Sequence, residues 1–302
     1  MTETLVTSLG NLRRFDHKLD SMTPFTLYEG IRKKEFYTDK PVGDIHLDPQ
    51  LFIILSGETE FFLDDISFTG TAGDIFISNF WEPHAFRISS PQLHFLSITF
   101  SMFSFGNATP FADFDWYSFM KKPPSRRKIS FAEKEKKEVL LLVEKIIELE
   151  NNKPSGYRSM QYFLIHEIIF YINSVYLSDA PATGEERNQA RIFPALELIR
   201  RNPNCEIPLD EAAKVCSMSR STFCQKFKET MNESFSHFAM KKRIGYSCML
   251  LHLNQLTIKE ISDQCGFKNI THFYHVFKKF RQCTPQEFIT GNHFDPHSDE
   301  EM

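Results

Sequence analysis

The sequence predicts an α+β protein, with strands in its amino-terminal part and helices in the remainder. Between residues 25 and 105, short runs rich in Ile, Phe, Leu and Thr are separated by Gly, Asp, Pro and Ser at the roughly 8 to 12 residue intervals of an all-β domain. After residue 130, apolar residues recur at the spacing of an amphipathic helix. The 302 residues are enough for about two domains of roughly 150 residues each.

Charge is divided unevenly along this chain of ordinary globular composition. Residues 188–291 hold 15 Lys and Arg against 9 Asp and Glu, whereas the rest holds 20 against 30. A basic segment favours an anionic partner. The first twenty residues show no signal peptide, and no apolar run reaches the roughly 20 residues of a membrane span. We therefore expect a cytoplasmic protein without a membrane partner.

The amino-terminal runs predict an antiparallel sandwich or a small barrel. Eighteen of the 31 Phe precede residue 132, so its core, or a cavity within it, should be lined by aromatic rings. The runs that read as strands are "QLFIILSG", "TEFFLDD", "ISFTGTAGDIFIS", "HAFRIS" and "LHFLSITF".

A helical hairpin is predicted over residues 130–178. Its first helix should open with a capping box formed by Ser130 and Glu133. A second apolar helix follows from about residue 157 to 177, and the polar stretch from 178 to 190 has the composition of a linker. The apolar stripe of the first helix consists of Val139, Leu142, Val143, Ile146 and Leu149.

Residues 207–235 predict two short helices around "CSMS", the arrangement of a helix-turn-helix. Ser219 is a favourable N-cap for the second helix. Phe223 and Phe227 form its inward stripe, which leaves the polar residues for the outside. Those outward residues are Arg220, Ser221, Thr222, Cys224, Gln225 and Lys228.

The same pattern recurs in residues 256–288. Gly266 suits a tight helix end, Asn269 can cap the next helix, and Phe273 and Phe277 repeat the earlier Phe pair. Between the copies, residues 236–254 read as one helix of about 28 Å, close to the roughly 34 Å of one DNA turn. Two recognition helices held that far apart suit successive segments of one major groove.

The outward residues divide by chemistry into base-reading and phosphate-binding candidates. Arg220 suits guanine and Gln225 suits adenine, although Arg220 can equally be solvated or bind phosphate. Thr271 and His272 begin the second recognition helix, where side chains meet base edges. Lysines position a protein on the phosphates without specifying sequence. The remaining candidates are Ser221, Thr222, Lys228, Asn269, His275 and Lys278, with a basic stripe Lys241, Lys242 and Arg243 in which Arg243 is expected to form an intradomain ion pair.

Residues 191–290 resemble the AraC/XylS-type transcription regulators. The matching elements are "S219…F223…F227K228", "R243", "L250L251", "I258KEI261", "G266F267", "F273", "V276F277K278K279" and "T284P285". The sequence departs from the usual residues of that family at Asn232, Ser247, Ser262, His275 and Gln282.

This resemblance implies a sequence-specific regulator of transcription and not an enzyme. It implies a jelly-roll (cupin-like) sensing domain in residues 1–129, dimer contacts in the hairpin of residues 130–178, a linker in 179–190 and a double helix-turn-helix domain in 191–302. The implied partners are double-stranded DNA, RNA polymerase, a second copy of the chain and a small-molecule effector, and activation is the commonest outcome in similar proteins.

Within the amino-terminal domain, "GDIFISNFWEPHAF" resembles the second half of a cupin motif. The H-x-H pair of a metal-binding cupin is missing, because His46 is followed two residues later by Asp48. We therefore expect no metal and no cofactor, against the alternative of a cupin enzyme. His46, Trp81, His84 and His94 can orient a small ligand, or serve as core and rim residues in a regulator controlled by a protein partner. The six cysteines form no C-x-x-C pair and are expected to be free and mostly buried.

Overall fold

A computed structural model of the protein describes most of the chain and contains both strands and helices. The predicted linker at 179–190 lies outside the described residues, as do Cys205 and Asn232. The described residues are 13–14, 19, 23–36, 42–46, 48–63, 66–101, 119, 122–177, 192–202, 207–231, 233–253 and 255–290.

The described part of the amino-terminal region contains ten strands. Every predicted apolar run forms one or two of them, because Ile, Phe and Thr suit a pleated surface and the intervening Gly and Asp form turns. The strands are β1 Arg13–Arg14, β2 Phe25–Lys33, β3 Val42–Ile45, β4 Gln50–Ser56, β5 Glu58–Leu63, β6 Ile66–Thr71, β7 Ile75–Ser78, β8 His84–Ile88, β9 Gln92–Phe100 and β10 Lys128–Ile129.

The strands form two five-stranded sheets, in the orders β1-β3-β8-β5-β6 and β10-β7-β4-β9-β2. All neighbours are antiparallel except β1 and β3. Buried rings from both sheets meet in one cluster: Phe52 stacks on Phe95 and Phe61 on Phe76, each with centroids 4.4 Å apart. The predicted aromatic core is therefore confirmed among the described residues.

The hairpin consists of α1 (Glu133–Asn152) and α2 (Tyr157–Leu177). Val139, Val143 and Ile146 are fully buried in the same apolar cluster as the outer-face residues of the second sheet and the inner face of α2. The stripe that motivated a dimer contact on α1 therefore packs within the chain.

The predicted capping box at the start of α1 is wrong. The N-cap is Ala132, which makes no side-chain cap. Ser130 instead donates its hydroxyl to Asp74 Oδ1 at 2.6 Å, because β10 brings it beside the turn that precedes β7.

Seven helices make up the described carboxy-terminal part, and the five from Leu209 to Arg281 confirm the two predicted helix-turn-helix units and the helix between them. No helix among the described residues is long and apolar enough to cross a membrane. The helices are α3 Phe193–Arg201, α4 Leu209–Val215, α5 Arg220–Met231, α6 Phe235–Leu253, α7 Ile258–Gln264, α8 Ile270–Arg281 and α9 Pro285–Thr290.

The structure describes five of the six cysteines. Four are buried as predicted, at 216, 248, 265 and 283, and Cys224 is exposed on α5.

Candidate nucleic-acid interface

The first helix-turn-helix unit is built from α4 and α5. Phe223 and Phe227 are fully buried, and both rings lie edge-on to Phe235 of α6, with centroids 5.2 and 5.3 Å away. Ser219 caps α5, since its hydroxyl accepts from the Thr222 N–H at 3.3 Å. The predicted inward face and cap are confirmed, and the opposite face of α5 is left to solvent.

The second unit, α7 and α8, repeats this construction. Gly266 ends the first helix at a φ of +68°, and the Asn269 side chain caps the second by accepting from the Thr271 N–H at 2.7 Å. Phe273 and Phe277 are fully buried, as predicted. Because both units bury the same Phe pair, they present the same face of their second helix.

All ten predicted DNA-contacting residues are exposed. On α5, the Arg220 guanidinium lies 3.6 Å from the Asp210 carboxylate, and Gln225 donates to Glu229 at 2.8 Å. Such exposed contacts are weak and can exchange for contacts with DNA. The residues lie at two places, on α5 (Arg220, Ser221, Thr222, Gln225, Lys228) and on or just before α8 (Asn269, Thr271, His272, His275, Lys278).

A carboxylate lies among these groups on α5. Lys226, 2.9 Å from Glu229, and then Gln225 lower the pKa of the Glu229 carboxyl. Glu229 is therefore ionised at neutral pH, and this negative charge limits where phosphates can approach α5. The cationic side of the helix is the side that carries Arg220 and Lys228.

The proposed basic stripe on α6 is contradicted at Lys242, whereas Arg243 makes contacts within its own domain, as expected. Lys242 and Arg243 are 3% and 7% exposed, so neither side chain belongs to a surface that DNA can contact. Arg243 donates to the Cys265 carbonyl, and its guanidinium lies 3.9 Å from the centre of the Phe267 ring. It therefore ties α6 to the turn of the second unit.

Three of the four candidate ligand-binding residues come together, and the fourth does not. The His46 and His84 rings are both buried with centroids 4.8 Å apart, and the backbone N–H of Trp81 donates to the His46 backbone carbonyl at 2.9 Å. Burial lowers the pKa of His84, which is therefore neutral near pH 7. His94 is partly exposed and pairs with Glu29 across the β2–β9 ladder at 2.8 Å.

Buried charge surrounds this histidine pair. Burial would raise the pKa of Glu82, but Arg127, Lys242 and Lys241 outweigh it and hold the pKa low. Asp48 behaves oppositely: burial raises its pKa to about 7, even though Arg200 lies 3.3 Å away. Among the described residues, no group of three or more His, Cys, Asp and Glu is arranged to hold a metal ion.

Sequence reasoning missed that α6 and α3 also contact the sheet domain. Lys242 donates to the Phe80 carbonyl at 2.7 Å, and Arg200 of α3 reaches Asp48. One signal was present in the sequence, because Gly245 lies inside a helix that has no evident need for a glycine.

Comparisons with known proteins concern mainly the carboxy-terminal part. Residues 212–291 match a family model described as a helix-turn-helix domain. The chain is similar to the xylose operon regulatory protein of Haemophilus influenzae, 33% identical over 97 residues, or 32% of this chain and 25% of that protein. It is also similar to the transcriptional activator RhaR of Salmonella arizonae, 28% identical over 110 residues, or 36% of this chain and 38% of that protein. The chain thus spans between a quarter and two-fifths of the length of these relatives.

Among solved structures, fatty-acid-bound ToxT of Vibrio cholerae is similar to this chain. The two are 16% identical with a TM-score of 0.44, and the alignment covers 90% of this chain and 98% of that one.

The repeated two-helix units and the match over residues 212–291 define a helix-turn-helix domain in the carboxy-terminal part of the chain. The named relatives support the resemblance of this part of the chain to the AraC/XylS-type transcription regulators. The relatives named above are regulators of transcription.

Proposed function

We propose that this protein reads one sequence-specific site with both helix-turn-helix units and activates transcription from it. The repeated exposed face carries this proposal: two helices with the same buried Phe pair present Arg220 and Gln225 on one, and Thr271 and His272 on the other. Arg220 and Gln225 suit base edges, and Lys228 and Lys278 suit phosphates. The proposal includes RNA polymerase as a partner and a cytoplasmic location.

Selection of duplexes from a random pool with the full-length protein tests this function. We expect an enriched sequence with two conserved segments about one helical turn apart, because α6 separates the units by about 28 Å. Binding should weaken steeply with salt, as phosphate contacts require. A selected pool without enrichment, at low salt and with folded protein, would contradict the proposal.

We further propose that the two-sheet domain is a jelly-roll (cupin-like) sensing domain. The buried group of His46, Trp81 and His84 lies where this domain meets α6, so a ligand that changes their packing also changes that contact. A thermal-shift screen with metabolites tests it, since a ligand at 100 times its dissociation constant should stabilise by about 2.7 kcal/mol. Melting that is unaffected across the screen favours control by a protein partner instead.

The proposed homodimer forms through α2, since the stripe on α1 is internal. Met160, Phe163 and Phe170 are 45%, 65% and 51% exposed, although each is large and apolar. Met160 and Phe163 are three residues apart, and Phe163 and Phe170 are seven apart, so the three lie on one face of the helix. A second copy of the same face would cover them in a symmetric contact.

A further inference from the structure

The two domains meet through a close contact on α6. The turn at residues 79–83, which follows β7, supplies one side of it. The Lys242 ammonium donates to the Phe80 carbonyl at 2.7 Å and lies 4.3 Å from the centre of the Phe80 ring. The Trp81 ring lies edge-on to Tyr246, with centroids 5.0 Å apart. A buried charge and a buried tryptophan therefore both take part in the contact between the two domains.

Gly245 explains how the backbones approach so closely. Glycine is among the poorest helix formers, yet Gly245 lies in the interior of α6. A Cβ atom at this position would lie well inside 3.0 Å of the Trp81 carbonyl oxygen. Trp81 itself has a φ of +52°, which is rare for a bulky residue. A residue that is unfavourable in a helix thus faces a loop residue in an unfavourable conformation, and the close approach of the two domains accounts for the glycine.

The sheet domain touches both DNA-binding units. Arg200 of α3 pairs with Asp48 at 3.3 Å, and α3 packs on α4 of the first unit. Beside Trp81, Phe280 and Arg281 at the end of α8 line a small crevice with Lys242. The first unit is therefore connected to the sheet domain through α3. The second unit is connected to it through α6 and the end of the recognition helix α8.

We infer that the sheet domain is a positioning element for DNA binding. By packing against α3 and α6, a contact that we call seating, it fixes the distance and angle between the recognition helices α5 and α8. This inference rests on the proposed function of reading one site with both units. The seated arrangement leaves all ten predicted contact residues exposed, so it does not block the DNA surface. Holding two binding elements in their bound geometry removes the cost of ordering them during association. Seating should therefore strengthen binding to DNA of one particular spacing.

The test uses Gly245→Ala in the full-length chain. The chain has two tryptophans, so a Trp116→Phe background makes Trp81 the only tryptophan and a reporter of seating. The added methyl should unseat the turn, which shifts Trp81 emission to longer wavelength and increases its quenching by acrylamide. Alanine favours the helix, so α6 itself should persist. Ser236→Ala, an exposed position of the same helix, is the matched control and should leave Trp81 emission unchanged.

The same proteins are then titrated with the duplex selected by the wild type, and with duplexes carrying one or two extra base pairs between its conserved segments. We expect Gly245→Ala to bind the selected duplex about tenfold more weakly, the equivalent of about 1.4 kcal/mol. We also expect it to lose most of the wild-type preference for the original spacing. A general loss of stability would weaken binding to every spacing alike, so the spacing preference separates the two explanations.

Arg200→Gln, which removes the anchor at α3, should have the same effect on spacing without touching α6. Several results would overturn the inference: Trp81 emission that does not change in Gly245→Ala, an unseated protein that keeps its affinity and spacing preference, or one that binds more tightly. A wild type that selects no DNA while Trp81 stays buried would instead contradict the proposed function, and the positioning role would fall with it.

Discussion

At the scale of single residues, the two exposed faces contain side chains with different predicted roles. Arg220 begins α5, where a side chain can reach a base edge, whereas Lys278 lies in the last part of α8, where the phosphate backbone passes. Arg220→Ala should cost about 1–3 kcal/mol on the preferred site and relax the preference at one base pair. Lys278→Ala should weaken all sequences similarly and reduce the slope of log affinity against log salt by about one.

A salt titration of both variants on the selected duplex and on a scrambled one distinguishes these roles. If Arg220→Ala weakens both duplexes equally and alters only the salt slope, then Arg220 binds phosphate. Base recognition by the first unit would in that case be assigned to Gln225 and its neighbours.

Asp48 predicts how stability depends on pH. Burial raises the pKa of this carboxyl to about 7, Arg200 opposes the shift and Glu197 adds to it. Between the ordinary value of 3.8 and about 7, the folded protein holds a proton that the unfolded chain has lost. The contribution of Asp48 to stability must therefore fall as pH rises through this window, by at most about 1.4 kcal/mol per pH unit.

The lowered pKa of His84 acts in the opposite direction, because a histidine kept neutral by the fold destabilises it below about pH 6.5. Comparison with Asp48→Asn cancels this effect, since both proteins retain His84. Melting temperatures measured from pH 5 to 8 should show the wild type losing stability relative to Asp48→Asn as pH rises. A difference that does not vary with pH would mean that Asp48 titrates at its ordinary value.

At the scale of elements, the faces of the recognition helices separate stability from specificity. Phe223→Ala and Phe277→Ala each remove a fully buried ring and should cost about 3–5 kcal/mol. Thermal unfolding measures the cost, and Lys228→Ala on the exposed face of α5 is the control that should hardly change melting. A Phe277→Ala protein with normal melting but a changed base preference would show that the faces are reversed.

Elements whose contacts are local were predictable, and those whose contacts are distant were not. Ser219 and Asn269 cap helices within three residues of themselves, so sequence spacing was sufficient to predict them. Ser130 has equally good spacing for a capping box, but Asp74 takes its hydroxyl from 56 residues away.

Lys242 illustrates the same limit for charge. Beside Lys241 and Arg243 it resembles part of a basic DNA-binding stripe, yet its ammonium is bound by the Phe80 carbonyl across the domain contact. The repeated Phe pairs were sufficient to predict the double helix-turn-helix and its exposed faces. They contain no information about the sheet domain, and so they could not predict the contact at Trp81, for which the glycine at 245 was the one signal in the sequence.

At the scale of the whole molecule, the exposed apolar face of α2 predicts the oligomeric state. The internal packing of Val139, Val143 and Ile146 leaves Phe163 and Phe170 as the large exposed side chains of this hairpin face. Exposed apolar patches of this kind commonly mark protein–protein contacts. Phe163→Glu combined with Phe170→Lys should convert a dimer into a monomer without unfolding it, because neither ring supports the core.

Light scattering of the full-length protein at tens of micromolar measures this conversion. Glu167→Gln and Ser174→Ala, on the same exposed face but without loss of apolar area, form the matched control and should remain dimeric. Since a dimer carries four recognition helices, the monomeric variant should also bind a site with two adjacent half-sites without cooperativity. It should keep its affinity for a single half-site, because α5 and α8 of one chain are unchanged. A wild type that scatters as a monomer, or a double variant that still dimerises, would show that α2 is not the dimer contact.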